Sequence, residues 1–226
     1  MKLNEYRKKR QFDMTPEPRG ADGAREENGS FIYAIQKHIA SHLHYDLRLG
    51  WRGVLLSWAI PKGPSLDPAE KRLAMRTEDH PLEYSDFEGV IPTGQYGAGT
   101  VMLWDRGTWH PDSNDVDSSL QKGELKFTLH GKKLHGSWIL VHTRGFGKNP
   151  SRSTWFLIKH RDQYASTTDV TEEEPRSVKS GRLLAEIAGD EGGDIARASE
   201  GDPPEGRHAT SAKSMSERVA RRRRPS

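Results

Sequence analysis

From Ser30 onward the chain breaks into short runs dominated by branched and aromatic residues, each closed by glycine, proline or a polar cluster. Phe31–Lys37, Tyr45–Leu49, Val54–Ile60, Arg72–Thr77, Thr100–Asp105, Gly123–His130, Leu134–Thr143 and Thr154–His160 read as strands. Gly50-Trp51-Arg52-Gly53 supplies a hairpin turn, Pro61-Lys62-Gly63-Pro64 a stop, and Gly131-Lys132-Lys133 a second turn. Short strands at this spacing predict a mainly β fold, a small closed or nearly closed β-barrel or a sandwich. Between Glu78 and Gly99 such runs are few, and Gly89, Pro92, Gly94, Gly97 and Gly99 mark a long loop. Loops on a rigid scaffold are where function concentrates.

The flanks have a different texture. Residues 1–29 are polar, with Thr15-Pro16-Glu17-Pro18 and then a stretch rich in Gly, Asp and Glu, which predicts a flexible arm. After Tyr164 there is no Phe, Trp or Tyr, and Glu, Gly, Ser and Arg dominate. Residues 165–226 are therefore expected to be a disordered charged tail, with Leu183, Leu184 and Ile187 forming at most a transient amphipathic turn. Residues 30–164 remain as the folded domain. The apolar fraction of 33% agrees, being well below the ~45–50% of ordinary domains.

Composition removes several classes. The chain has no cysteine, which excludes disulfides and thiolate metal sites and leaves His, Asp, Glu and carbonyls as ligands. The basic start MKLNEYRKKR is followed by no apolar run, and nowhere is there an apolar stretch of membrane-spanning length, so a soluble cytoplasmic protein without a membrane partner is expected. A net charge of +3 with a pI near 9 is a weak pointer to a polyanion and equally describes a mixed solvated surface. The Arg221–Arg224 cluster reads as a solvated terminal run in the same way.

The densest chemistry lies in QKHIASHLHYDLRL, Gln36 to Leu49, which gathers His38, His42, His44, Asp46 and Arg48. Strand alternation puts His44, Asp46 and Arg48 on one face and Tyr45, Leu47 and Leu49 on the other. Two imidazoles and a carboxylate, His38, His44 and Asp46, suit Mn, Zn or Fe with positions left open, and a hydrogen-bonded polar strand face fits the spacing equally. Arg48 stays protonated and cannot be a ligand, but beside a cation it makes a clamp for phosphate. His80 and Tyr84 add donors from the long loop, and Lys62 is restrained between two prolines. His110, His130, His135, His142 and His160 are scattered and read as structural. Three functions stay open on the residues alone: a phosphate-ester hydrolase, a non-haem iron oxygenase using the same two-His, one-carboxylate set, and a non-catalytic end-binding module with a structural metal.

Four segments in order, QKHIASHLHYDLRL, SWAIPKGP at Ser57 to Pro64, KRLAMRTEDHPLEYSDFEGVIPTGQYGAGTV at Lys71 to Val101 and WFLIKHRD at Trp155 to Asp162, resemble the 3′-phosphoesterase domain of bacterial DNA ligase D. The likeness covers roughly residues 4–164, and no polymerase or ligase motif accompanies it, so the stand-alone form is expected. The resemblance implies a β-barrel enzyme of non-homologous end joining that uses Mn2+, or Co2+ or Zn2+, to remove a terminal 3′ ribonucleoside and then the 3′ phosphate, leaving a 3′ hydroxyl. It implies nucleic-acid 3′ ends as substrate, Ku, ligase and polymerase as partners, and action as a monomer at the nucleoid. Carried over by motif, His38, His44 and Asp46 hold the metal, Arg48 and His80 contact phosphate, and Tyr84, Gln36, Lys62 and Arg72 stand in or near the pocket. KRQFDMTPEP at Lys9 to Pro18 resembles an arm motif whose arginine and glutamate, here Arg10 and Glu17, assist the diesterase step. Gln11 departs from it where the family has aspartate, which bears on ribonucleoside removal more than on phosphate removal, and His42 stands where arginine is usual.

Overall fold

A computed structural model describes residues 3–20, 31–143 and 154–204. In chain order the elements are α1 Asn4–Lys8, β1 Phe31–Ile39, β2 Leu43–Trp51, β3 Val54–Ile60, β4 Arg72–Arg76, β5 His80–Pro81, β6 Gly89–Ile91, β7 Gly99–Pro111, α2 Val116–Lys122, β8 Glu124–Gly131, β9 His135–His142, β10 Thr154–Lys159, α3 Val170–Glu173, α4 Leu184–Asp190 and α5 Ile195–Ser199. The strand neighbours run β1-β2-β3-β4-β10-β9-β8-β7, every pairing is antiparallel, and β7 returns to pair with β1. Eight strands thus close a barrel, which removes sheet edges. Two short strands are appended: β5 pairs with β3, and β6 with β7. No helix among the described residues is long and apolar enough to cross a membrane.

Local sequence accounts for the main turns. Trp51 pairs with Val54 across the two-residue loop Arg52-Gly53. Both loop residues have positive φ, 47° and 79°, the handedness that matches the twist of the flanking strands. The turn from β8 to β9 is built on a buried carboxylate. Asp105 accepts from the backbone N–H of Lys132, Lys133 and Leu134 at 2.9–3.0 Å and from the Tyr33 hydroxyl at 2.6 Å. Burial raises its pKa, and these donors oppose the rise.

Alternation divides the strands into two faces. Tyr33, Ile35, Tyr45, Leu47, Leu49, Leu56, Trp58, Trp104, Phe127, Trp138, Leu140 and Leu157 belong to one buried cluster that fills the barrel. The opposite face of β1 to β3 carries the polar set, and Leu55 from it joins Tyr6 and Tyr84 in a second, smaller cluster. Residues 3–20 lie over this outer face, with Tyr6 fully buried. The flexible arm expected at residues 1–29 is therefore, over residues 3–20, a docked segment held by one aromatic anchor, and residues 21–30 lie outside the described residues.

The expected charged tail also changes. Residues 165–204 fold onto the barrel, while 205–226 lie outside the described residues, as does the Arg221–Arg224 cluster. Val170, Leu184, Ile187, Ala188 and Ala198 join the main core. Three aspartates that read as disorder are helix caps: Asp169 accepts from Thr171 N–H, Asp194 from Arg197 N–H, and Asp202 from Leu184 and Ala185 N–H. The barrel supplies further donors, since the Trp104 indole and the Lys133 ammonium both bond the Glu174 carbonyl at 2.7 Å. A few well-placed apolar residues plus satisfied backbone suffice where composition alone predicts no core.

Ile187→Asp tests this docking. An unpaired carboxylate in the fully buried site is expected to cost about 3 kcal/mol, lowering Tm by roughly 6–12 °C in calorimetry. A melting curve that stays in place would show that the segment adds no stability.

Candidate active site

The polar face of β1 and β2 is assembled by register. His38 sits directly opposite His44, Gln36 opposite Asp46, and Ala34 opposite Arg48. His38, His44 and Asp46 then share one corner, with one ligand atom from each lying within 4.8 Å of the others. Their protons are accounted for. His38 Nε2 lies 2.9 Å from the Gly97 carbonyl and must donate to it, which leaves the lone pair on Nδ1. His44 Nδ1 likewise donates to the His42 carbonyl at 3.0 Å, which frees Nε2. Both free nitrogens face Asp46 Oδ2, at 3.9 Å and 3.7 Å. Burial, and next the neighbouring His44, push the His38 pKa down to about 4, so the ring is neutral at physiological pH. Three acceptors aimed at one point with no hydrogen between them are a donor set suited to a divalent cation, and carbonyl-anchored imidazoles are the usual support of such a set.

Arg48 flanks this corner. Its Nε donates to Gln36 Oε1 at 2.6 Å, Nη1 to Ser57 Oγ at 2.9 Å and Nη2 to Asp46 Oδ2 at 3.1 Å, and the guanidinium lies 4.7 Å from the Tyr84 ring centroid. Among the described residues these are its hydrogen-bond partners, so two of its five N–H donors are unspent. Gln36 is itself fixed, donating to the carbonyls of Tyr84 and Phe87 at 3.0 Å and 2.8 Å. Its role is to hold Arg48.

A second cation comes from the arm. Arg10 Nε donates to Glu17 Oε1 at 2.8 Å, Nη1 approaches Glu78 Oε1 at 3.4 Å, and Nη2 lies 3.2 Å from His80 Nε2. The guanidinium stacks 3.9 Å from the Tyr6 ring. Since Arg10 can only donate, His80 Nε2 accepts, and His80 Nδ1–H donates to the Glu78 carbonyl at 2.9 Å. Burial, followed by the Arg48 and Arg10 charges, depresses the His80 pKa well below the usual imidazole range. The Tyr84 hydroxyl donates to Glu17 Oε1 at 3.0 Å, and burial raises its pKa far above the phenol range.

His38, His44, Asp46, Arg48, His80, Tyr84 and Arg10 all line one open cleft of about 850 Å³. Two guanidinium groups beside this corner of candidate cation ligands have the charge and donor geometry that suit a phosphate ester. Residues 36–142 match the sequence profile of the DNA Ligase D 3'-phosphoesterase domain. The chain carries a member of that family. It is 52% identical over 185 residues to the Multifunctional non-homologous end joining protein LigD of Pseudomonas aeruginosa, covering 80% of this chain and 22% of the relative. It is 42% identical over 167 residues to the protein of the same name from Mycolicibacterium smegmatis, covering 72% and 21%. The chain thus spans about a fifth of the length of the curated relatives it matches.

Within this phosphoesterase domain the sequence-derived residues fall into three groups. His38, His44, Asp46, Arg48, His80, Tyr84 and Arg10 meet in the cleft, while Gln36 and Glu17 brace it through hydrogen bonds from outside its lining. Lys62 and Arg72 do not line it; Arg72 Nη1 reaches the Lys62 carbonyl at 3.4 Å and leaves both beside it. Gln11 is exposed and also outside the lining, whereas His42, itself exposed, lines the cleft and gives its carbonyl to His44. Sequence reasoning missed Tyr6, Ser57 and Glu78, whose roles arise only on folding. It also missed Arg197, which donates to the carbonyls of Ala40 and Ser41 at 2.5–2.8 Å and ties α5 to the turn that presents His44.

The arm's attachment yields a stability prediction. Glu17 and Arg10 are almost completely buried, so Glu17→Ala leaves a buried cation with only the longer ion pair to Glu78, at 3.4 Å, and is expected to cost about 3 kcal/mol, read as a lower urea midpoint. The double change Arg10→Met with Glu17→Leu should restore most of it. A midpoint unmoved by Glu17→Ala would contradict the pairing.

Proposed function

We propose that this domain is a divalent-metal-dependent phosphoesterase that heals nucleic-acid 3′ ends, removing a terminal 3′ ribonucleoside and then the 3′ phosphate to leave a 3′ hydroxyl. The observation that carries the reading is the corner of three neighbouring lone pairs, on His38, His44 and Asp46, next to the Arg48 fork with its two free N–H donors. Family membership supports the reaction class. A cation such as Mn2+, or Co2+ or Zn2+, held by His38, His44 and Asp46 would act as a Lewis acid on a phosphate oxygen.

The chain's own residues do the rest. Arg48 offers its two free N–H donors to non-bridging oxygens, and its guanidinium cannot lose a proton to them. Gln36 and Ser57 lock its plane before substrate arrives, so little is reorganised as charge develops. Arg10 brings a second positive charge over the cleft. His80 orients Arg10 in the free protein through its Nε2 lone pair, and to contact phosphate that nitrogen must take up a proton, which the incoming anion favours. Tyr84 walls the pocket and gives its ring face to Arg48, while its hydroxyl stays with Glu17. In this reading the non-homologous end joining for which the relatives are named extends to the present chain, with Ku, ligase and polymerase as partners in the cytoplasm at the nucleoid and a monomer as the acting form.

Primers ending in a 3′ phosphate or a 3′ ribonucleoside, incubated with Mn2+, Co2+ or Zn2+, test this directly. The wild type should yield 3′ hydroxyl ends and lose activity with a chelator. Arg48→Lys keeps the charge but not the fork and should fall about 100- to 1,000-fold. Asp46→Ala should be inactive; equal product from it would overturn the site. Oxygen-dependent turnover without phosphate release would instead favour the two-His, one-carboxylate oxygenase, and tight DNA binding with unchanged substrate the end-binding module.

A further inference from the structure

Tyr96 lines the cleft and is 51% exposed, the one aromatic among the exposed large hydrophobic side chains of the described residues. Its loop is rigidly held. Gln95 N–H donates to the Pro92 carbonyl and Ala98 N–H to the Gln95 carbonyl, both at 3.1 Å, giving two successive tight turns. Gly94 and Gly97 take positive φ, 88° and 78°, and at Gly99 an added Cβ would fall 2.1 Å from the Ile39 carbonyl, so the loop lies flush against the end of β1. The residue after Tyr96 is Gly97, whose carbonyl fixes His38. Tyr96 therefore stands one residue from the support of the metal corner.

Positive charge backs the ring. Lys9 Nζ lies 4.7 Å from its centroid and 3.4 Å from its hydroxyl, and the Arg10 guanidinium is 5.7 Å away; the two cations share one carboxylate, Glu78, at 3.1 Å and 3.4 Å, which leaves a net positive charge there. A preorganised, half-exposed ring beside a phosphate site, with cations behind it, matches the recurring combination of stacking platform and backbone-tracking charge in single-strand recognition. We propose that Tyr96 is the stacking platform for the nucleobase of the terminal nucleotide, with Lys9 reaching the phosphate backbone beside it. The inference rests on the phosphoesterase reading and adds its substrate class: the cleft takes a base-bearing nucleotide end of any sequence, since every base has a π-face, and takes a bare phosphate ester poorly.

Steady-state kinetics with Mn2+ on two 3′-phosphorylated primers, alike except that one ends in an abasic tetrahydrofuran residue, provide the test. For the wild type, loss of the base should raise KM about 5- to 50-fold with kcat within roughly twofold. Tyr96→Ala should raise KM on the complete primer by the same factor and cease to distinguish the two primers. Tyr96→Phe, which keeps the ring face, should still distinguish them. Mn2+ affinity of Tyr96→Ala, measured by titration, should match the wild type, as it would not if the change merely loosened the His38 support. Equal KM for both primers in the wild type, undiminished discrimination by Tyr96→Ala, or weakened Mn2+ binding in that variant would overturn the proposal while leaving the phosphoesterase reading in place. Release of phosphate from neither primer by the wild type would remove that reading and the stacking role with it.

Discussion

Three lone pairs without a proton among them, on His38 Nδ1, His44 Nε2 and Asp46 Oδ2, set the terms for the rest of this structure. Acceptors that face one another repel unless a cation or a donor lies between them, and here, among the described residues, only Asp46 has one, from Arg48. Holding them so requires that both imidazole protons be taken elsewhere, and two backbone carbonyls take them. One belongs to Gly97 in the glycine-rich loop before β7, the other to His42 in the turn between β1 and β2. That turn is in turn tied down by Arg197, so a helix distant in sequence holds the site's backbone.

The barrel makes this affordable by separating its two tasks onto the two faces of the same strands. The inner face of β2 packs Tyr45, Leu47 and Leu49 into the core, while its outer face presents His44, Asp46 and Arg48. Outer-face charges remain in reach of one another through a chain of contacts: Arg48 to Gln36 and Ser57, Ser57 near His80, His80 to Arg10, and Arg10 to Glu17. Each cation is thereby oriented by the chain's own contacts, and such preorganisation is where electrostatic stabilisation draws its strength.

Much of this could be read from the sequence because period-two alternation is unambiguous when one face is aliphatic and the other ionic. His44, Asp46 and Arg48 followed from it, and β3, Val54–Ile60, came out with its observed ends because Arg52-Gly53 and Pro61 bracket it. The barrel's closure through β1 and β7 was expected only as a class, since pairing between strands over sixty residues apart leaves no local mark. Tyr6, Ser57, Glu78 and Arg197 were invisible for the same reason: each acts through a contact made only in the folded chain. The segment 165–204 was misread because aspartate caps and alanine or leucine contacts have the composition of an unstructured tail. Lys62, singled out by its flanking prolines and by the resemblance, and Arg72, by the resemblance alone, were placed in or near the pocket, and the fold sets both outside its lining.

Pulsed electron paramagnetic resonance on the Mn2+-loaded protein addresses the central claim most directly. The account predicts couplings from two imidazole nitrogens, the loss of one in His38→Ala and one in His44→Ala, and a phosphorus coupling that appears when a 3′-phosphorylated oligonucleotide is added. A spectrum of fully hydrated Mn2+ without nitrogen coupling, or one unchanged in both variants, would contradict it.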